Sequence, residues 1–199
     1  MSIRWQRFRS VCVAAVVPLT AVLPVSAIAV TQFQKSVFTA FSIADCEALK
    51  SHAGGSAYLC PGLPDFPIYL AEGNGRSFVS SGAAPAEAKA ATQTLSSFNT
   101  PFAKRTQRAT VEWRFVIRND RKVPYAMIVR FFTSSDAAHG EVLVVTRIQR
   151  AEACHVALID ALANSDAIVL ARRIADERAR SFACAANPTI EGETGKSPM

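Results

Sequence analysis

The sequence predicts an α+β domain, a mostly antiparallel β-sheet of about seven or eight short strands with one helix near the C-terminus packed on it. Three observations point there. Residues 110–118 and 125–132 alternate apolar and polar side chains with the period of two that a strand requires. Gly73-Asn74-Gly75 lies between two β-prone runs, and Asn-Gly supplies the positive φ angles of a tight hairpin turn. Behind Asn164-Ser165, residues Ala167, Leu170, Ala171 and Ile174 recur at helical spacing.

Ahead of the domain, residues 1–29 have the three parts of a cleavable secretory signal. Arg4, Arg7 and Arg9 make a basic start, 11–25 (VCVAAVVPLTAVLPV) is apolar apart from Thr20, and Ala27 and Ala29 are the small residues before the cleavage point. Pro18 and Pro24 interrupt the run short of the roughly 20 unbroken apolar residues a membrane span wants. Cleavage after Ala29 leaves one domain over 30–184 and a polar tail over 185–199, expected to be disordered. The 199-residue chain has 22 Lys and Arg against 16 Asp and Glu; without the three leader arginines the balance falls to +3. That balance, with both signs interspersed, gives no electrostatic case for nucleic acid. The expected location is periplasmic or secreted, with no membrane span after processing.

Along the domain, 35–41 (KSVFTAF) alternates as a strand, and Ser42-Ile43-Ala44-Asp45 reads as a capping box opening one or two helical turns through Leu49. Gly54 and Gly55 lead into a short strand at 57–60, and strands at 66–72 and 76–80 flank the Asn-Gly turn. Residues 82–108 are the least regular: a short helix is expected over 85–92, then a polar loop with Lys104, Arg105 and Arg108. Strands follow at 110–118, 125–132 and 141–149, the first two joined by Asn119-Asp120. With residue 112 opposite 130, Val111, Trp113, Phe115 and Ile117 share a face with Tyr125, Met127, Val129 and Phe131. That gives a sheet with one apolar face. Residues 154–161 are apolar and strand-like, and the capped helix runs from Asp166 to about Arg180.

Cys12 leaves with the leader, so four cysteines remain: Cys46, Cys60, Cys154 and Cys184. An even number in an oxidising compartment implies two disulfides. No Cys-x-x-Cys pair is present, so no metal site is expected. A strand of about eight residues travels roughly 26 Å from Cys154, and the helix returns about 22 Å. With the chain reversed at 162–165, Cys184 falls beside Cys154, and by elimination Cys46 pairs with Cys60.

Catalytic signals are weak. Gly73-Asn74-Gly75-Arg76 precedes a strand, whereas a phosphate cradle needs a helix N-terminus behind it. His52, His139 and His155 have no spacing that would pair them as ligands, and there is no Gly-x-Ser-x-Gly. No catalytic residue and no cofactor is therefore expected. Two surfaces are candidates for a partner. The face opposite Trp113 presents Glu112, Arg114 and Arg130, with Arg147 alongside. It reads as a solvated face with an ordinary ion pair, as a shallow site for an anionic polymer, or as a layer buried under the helix. The proline-rich stretch 60–69 carries Phe66 and Tyr69, either as a stapled connection or as a docking loop.

The pattern Leu59-Cys60-Pro61-Gly62, Pro67-Ile68-Tyr69, Glu72-Gly73 and Arg76, then Gln93-Thr94-Leu95, Phe98-Asn99-Thr100 and Glu112-Trp113-Arg114, then Leu143-Val144-Val145-Thr146, Glu152-Ala153-Cys154-His155-Val156-Ala157 and Asp160-Ala161, resembles a family of small, uncharacterised bacterial proteins. These are secreted or periplasmic, bear a signal peptide and have four cysteines. The resemblance spans nearly the whole processed domain and implies one exported domain with two disulfides. It implies no activity and carries over no functional residue. The expected function is thus a non-enzymatic binding or envelope-associated module whose partner is an envelope protein or anionic polymer; the alternative is a small hydrolase assembled only in the fold. A hydrolase requires a pocket joining a histidine to an acid and a hydroxyl. A binding module requires a grooved apolar-aromatic face rimmed by arginine.

Overall fold

A computed structural model describes residues 35–49, 55–104, 107–150 and 152–199. The predicted leader, His52, Gly54 and Arg105 lie outside the described residues. Among the described residues eleven strands form two sheets, more strands than the sequence suggests because several are only three residues long. The seven-stranded sheet is built from β1 (Lys35–Phe41), β6 (Phe98–Thr100), β7 (Ala109–Arg118), β8 (Arg121–Ser134), β9 (His139–Ile148), β10 (Ala153–Asp160) and β11 (Thr189–Glu191). Its order is β1-β7-β8-β9-β10-β11, with β6 also paired to β8. The four-stranded sheet runs β2 (Glu47–Leu49), β3 (Ser56–Leu63), β4 (Phe66–Gly73) and β5 (Arg76–Ser81). Pairing is antiparallel except between β10 and β11.

Both faces of the large sheet are covered, so of the three readings of the Glu112 face the layer buried under the helix is the one found. One face packs on the small sheet through Phe41, Ile68, Leu70, Val79, Trp113, Met127, Val129 and Phe131. Trp113 is 0% exposed, and its indole N–H donates to the Thr39 hydroxyl at 2.8 Å. The other face packs on α1 (Ala167–Arg178), the one α-helix among the described residues. Ala171, Ile174 and Ala175 of α1 meet Ile128, Leu143, Val145 and Val156 of the sheet. The small alanines let α1 approach closely, and that closeness decides the fate of the polar residues beneath it.

The β7–β8 register is two residues off the expected one. Trp113 pairs with Met127, Glu112 with Ile128, and Arg130 instead faces Leu143 of β9. A shift of two preserves which residues share a face, so the predicted core survives. A bulge then intervenes: Arg114 pairs with Ala126 but Phe115 with Pro124, leaving Tyr125 as the extra residue. Tyr125 therefore turns to the helix side, not to the Trp113 face as its alternation suggested.

Other local expectations resolve for physical reasons. Asn74 and Gly75 adopt φ of 53° and 71°, the tight turn that Asn-Gly encodes. Ser42 N–H donates to the Asp45 carboxylate at 3.0 Å, so the capping box forms. It opens only a 3₁₀ turn over Ile43–Asp45, because the Cys46–Cys60 disulfide draws the next residues onto β3 as a strand. The helix expected over 85–92 is reduced to a 3₁₀ turn, Lys89–Thr92. Cys154–Cys184 is also closed, fastening the segment after α1 to the start of β10.

The tail is ordered, contrary to expectation. β11 adds to β10, and the Asp160 carboxylate accepts the backbone N–H groups of Lys196 and Ser197, each at 2.8 Å. Gly140 lacks the Cβ that would meet Ser197 at 2.5 Å, so this close approach requires glycine there.

Candidate functional site

The face predicted to take a partner is mostly interior. Glu112 is 3% and Arg114 7% exposed, both beneath α1. Arg114 forks onto Asp176 at 2.8 and 2.7 Å, and the Tyr125 hydroxyl donates to the same carboxylate at 2.6 Å. Arg172 forks onto Glu112 at 2.8 and 3.1 Å, and Ser36 donates to Glu112 as well. Burial works against the Arg114 charge, but the Asp176 carboxylate outweighs it and raises the guanidinium above its ordinary range. Burial, then Asp176, pushes the Tyr125 phenol upward in the same way. Arg114, Glu112, Asp176 and Tyr125 thus pair with one another and with Arg172 in a largely buried network.

The remaining predicted residues divide. Arg130 is half-exposed but paired with Glu141. Arg147 is largely buried, donates to the Phe182 carbonyl and pairs with Glu152 at 3.2 Å. Tyr69 is half-buried within β4, which makes it part of a strand and not of a docking loop. Phe66 opens the same strand after the Pro64-Asp65 turn, where Asp65 takes a φ of 65°. Phe66 is the one predicted partner residue that lines a cavity beside a cluster of cations.

That cavity lies at the β7–β8 hairpin end of the sheet. Two adjoining hollows of about 480 and 620 Å³ share Asp65, Phe66 and Val123. Phe66, Val116, Pro124, Tyr125 and Ile148 supply an apolar-aromatic floor, while Arg118, Arg121, Lys122, Arg150 and Arg180 supply the rim. The rim cations come from three separate places: the β7–β8 turn, the β9–β10 loop and the segment after α1. Asn119 and Asp120 make a two-residue turn with φ of 47° and 58°, which sets Arg118 and Arg121 directly opposite each other. Like charges facing across a strand pair repel. Among the described residues no carboxylate pairs with Arg118, Arg121, Lys122 or Arg150. Two of the cations rest on rings, Lys122 at 5.4 Å from the Phe115 centroid and Arg180 at 5.1 Å from that of Tyr125. The arrangement suits an anion attached to an apolar body.

The histidines form no catalytic arrangement among the described residues. His155 is buried and its imidazole bonds the Val79 backbone, with Nε2 left without a partner. His139 lines a separate hollow of about 280 Å³ with Thr133 and Glu141, and no hydrogen bond joins it to either. No group of three His, Cys, Asp or Glu side chains placed to hold a metal occurs among the described residues. Sequence reading took Asn119-Asp120 as a turn and stopped there. The signal it passed over is Arg118-Asn119-Asp120-Arg121-Lys122, three cations around a two-residue turn. Set against known proteins, the chain matches no family model, no curated protein and no solved structure.

Proposed function

We propose that this chain is an exported, non-enzymatic binding module, periplasmic or secreted, which takes an anionic ligand with an apolar portion in the groove at the β7–β8 end. The observation that carries the reading is the convergence of five cations on an apolar-aromatic floor, four of them without a carboxylate partner among the described residues. Planar guanidinium groups suit phosphate and carboxylate oxygens, and the floor excludes water from beneath them. Export is supported by the leader signature over 1–29 and by two closed disulfides, which persist in oxidising compartments.

Calorimetric titration with a short-chain phosphate amphiphile below its micelle concentration tests the reading. Dihexanoyl phosphatidylglycerol should bind, and dihexanoyl phosphatidylcholine, the same body without net charge, should bind at least about tenfold more weakly. Arg118→Ala with Arg121→Ala should remove most of that difference while the thermal midpoint stays put. Equal affinity for the two amphiphiles, or an unchanged difference in the double variant, would contradict the reading.

A further inference from the structure

We infer that the anion the groove meets is the headgroup layer of an anionic lipid bilayer, so that the β7–β8 end of the sheet is a membrane-docking surface. This rests on the anionic-ligand reading above and goes further by naming the source of the anion. Three features of that end carry it.

The first is charge without partners: Arg118, Arg121, Lys122 and Arg150 meet at this end, and among the described residues no carboxylate pairs with any of them.

The second is apolar exposure among the cations. Ile117 is 49% exposed next to Arg118, and Leu63 and Pro64 line the hollow beside Arg121 and Lys122. Apolar side chains ringed by Lys and Arg are the composition of an interfacial anchor, whose apolar groups enter the acyl boundary while the cations stay among headgroups.

The third is polarity along the strands. Lys35, Arg118, Arg121, Lys122, Arg150 and Arg180 are all exposed at this end, with Asp65, Asp120 and Glu152 the carboxylates in its turns. The opposite end of the same strands mixes its charges, Asp136, Asp166 and Glu193 standing with Lys104, Arg108 and Lys196. An anionic leaflet therefore favours the hairpin end, which orients the domain. Each basic residue near such a surface strengthens attachment by about fivefold.

Flotation with lipid vesicles tests the inference, using the protein recovered from the extracytoplasmic fraction. It should float with phosphatidylcholine vesicles doped with phosphatidylglycerol, and stay behind with pure phosphatidylcholine. Arg118→Glu with Arg121→Glu should cut the floated fraction more than tenfold, as should molar salt. Ile117→Asp should cut it strongly while leaving binding of the soluble short-chain amphiphile within twofold. These positions are exposed, so the thermal midpoint should hold in both variants. If the amphiphile binds but anionic vesicles do not float the protein, or if inorganic polyphosphate captures it and vesicles fail, the membrane inference falls and the anionic-ligand reading stands. If no anionic probe binds, both fall.

Discussion

With its imidazole sealed inside the sheet and Nε2 unpartnered, His155 is held by burial at a pKa of about 4, against 6.5 when free. The unfolded chain therefore binds a proton between those two values that the folded chain refuses. Stability attributable to this group is fully present above about pH 6.5 and is lost as pH falls toward 4. Between pH 7 and pH 5 the expected loss is about 2 kcal/mol, read from urea midpoints. His155→Gln should be nearly flat over that window, because the carboxylates that titrate low, Asp45, Asp160 and Glu191, change charge at lower pH. Arg114 makes a second test at this scale. Its removal leaves the Asp176 carboxylate beneath α1 without its cation, so Arg114→Ala should destabilise by about 3–5 kcal/mol, whereas Arg118→Ala, in the exposed turn, should change stability by less than about 0.5 kcal/mol. Alternation told that Trp113 and Glu112 point to opposite faces, and they do. It carries no information on whether the polar face meets water or a helix. The usable signal lay on the helix itself, where Arg172 and Asp176, four residues apart, match Glu112 and Arg114 in opposite charge.

The ordering of the tail belongs to the scale of elements. Asp160 ends β10 and accepts N–H groups from Leu162 and Ala163 on one side and from Lys196 and Ser197 on the other. One carboxylate thereby fixes the exit from β10 and the return of the tail along it. Those hydrogen bonds hold the carboxyl below its usual range against the contrary pull of burial. Asp160→Ala should leave several of these donors unsatisfied, lower stability by about 2 kcal/mol or more, and speed amide exchange in Thr189–Glu191. Unchanged exchange there would mean β11 is held by its strand pairing alone. The polar composition of 185–199 pointed to disorder because composition registers missing apolar burial but not a single well-placed acceptor at residue 160. The Cys154–Cys184 disulfide was legible for the opposite reason: it depends on chain lengths, which strand and helix rises set, and Cys46–Cys60 then follows by elimination. The bulge at Tyr125 left no sequence mark beyond Pro124, which cannot donate to a ladder.

At the scale of the molecule, α1 and the small sheet cover the two faces of the large sheet, so exposed chemistry is displaced to its ends. The face on which the sequence set its arginine-rimmed surface is largely interior. Arg114 and Arg147 are structural, while Arg118, Arg121, Lys122, Arg150 and Arg180 converge at the hairpin end because turns and loops far apart in sequence end there together. That convergence depends on topology, and of the residues the sequence singled out for a partner Phe66 lines this groove. The most direct measurement of the central claim is a map of backbone amide NMR shifts on titration with dihexanoyl phosphatidylglycerol. The shifts should concentrate in residues 63–66, 116–124 and 148–150 and at Arg180, the segments that line the groove. Shifts concentrated instead around Gly75 and Phe98, at the other well-formed hollow, or spread evenly over the surface would contradict it.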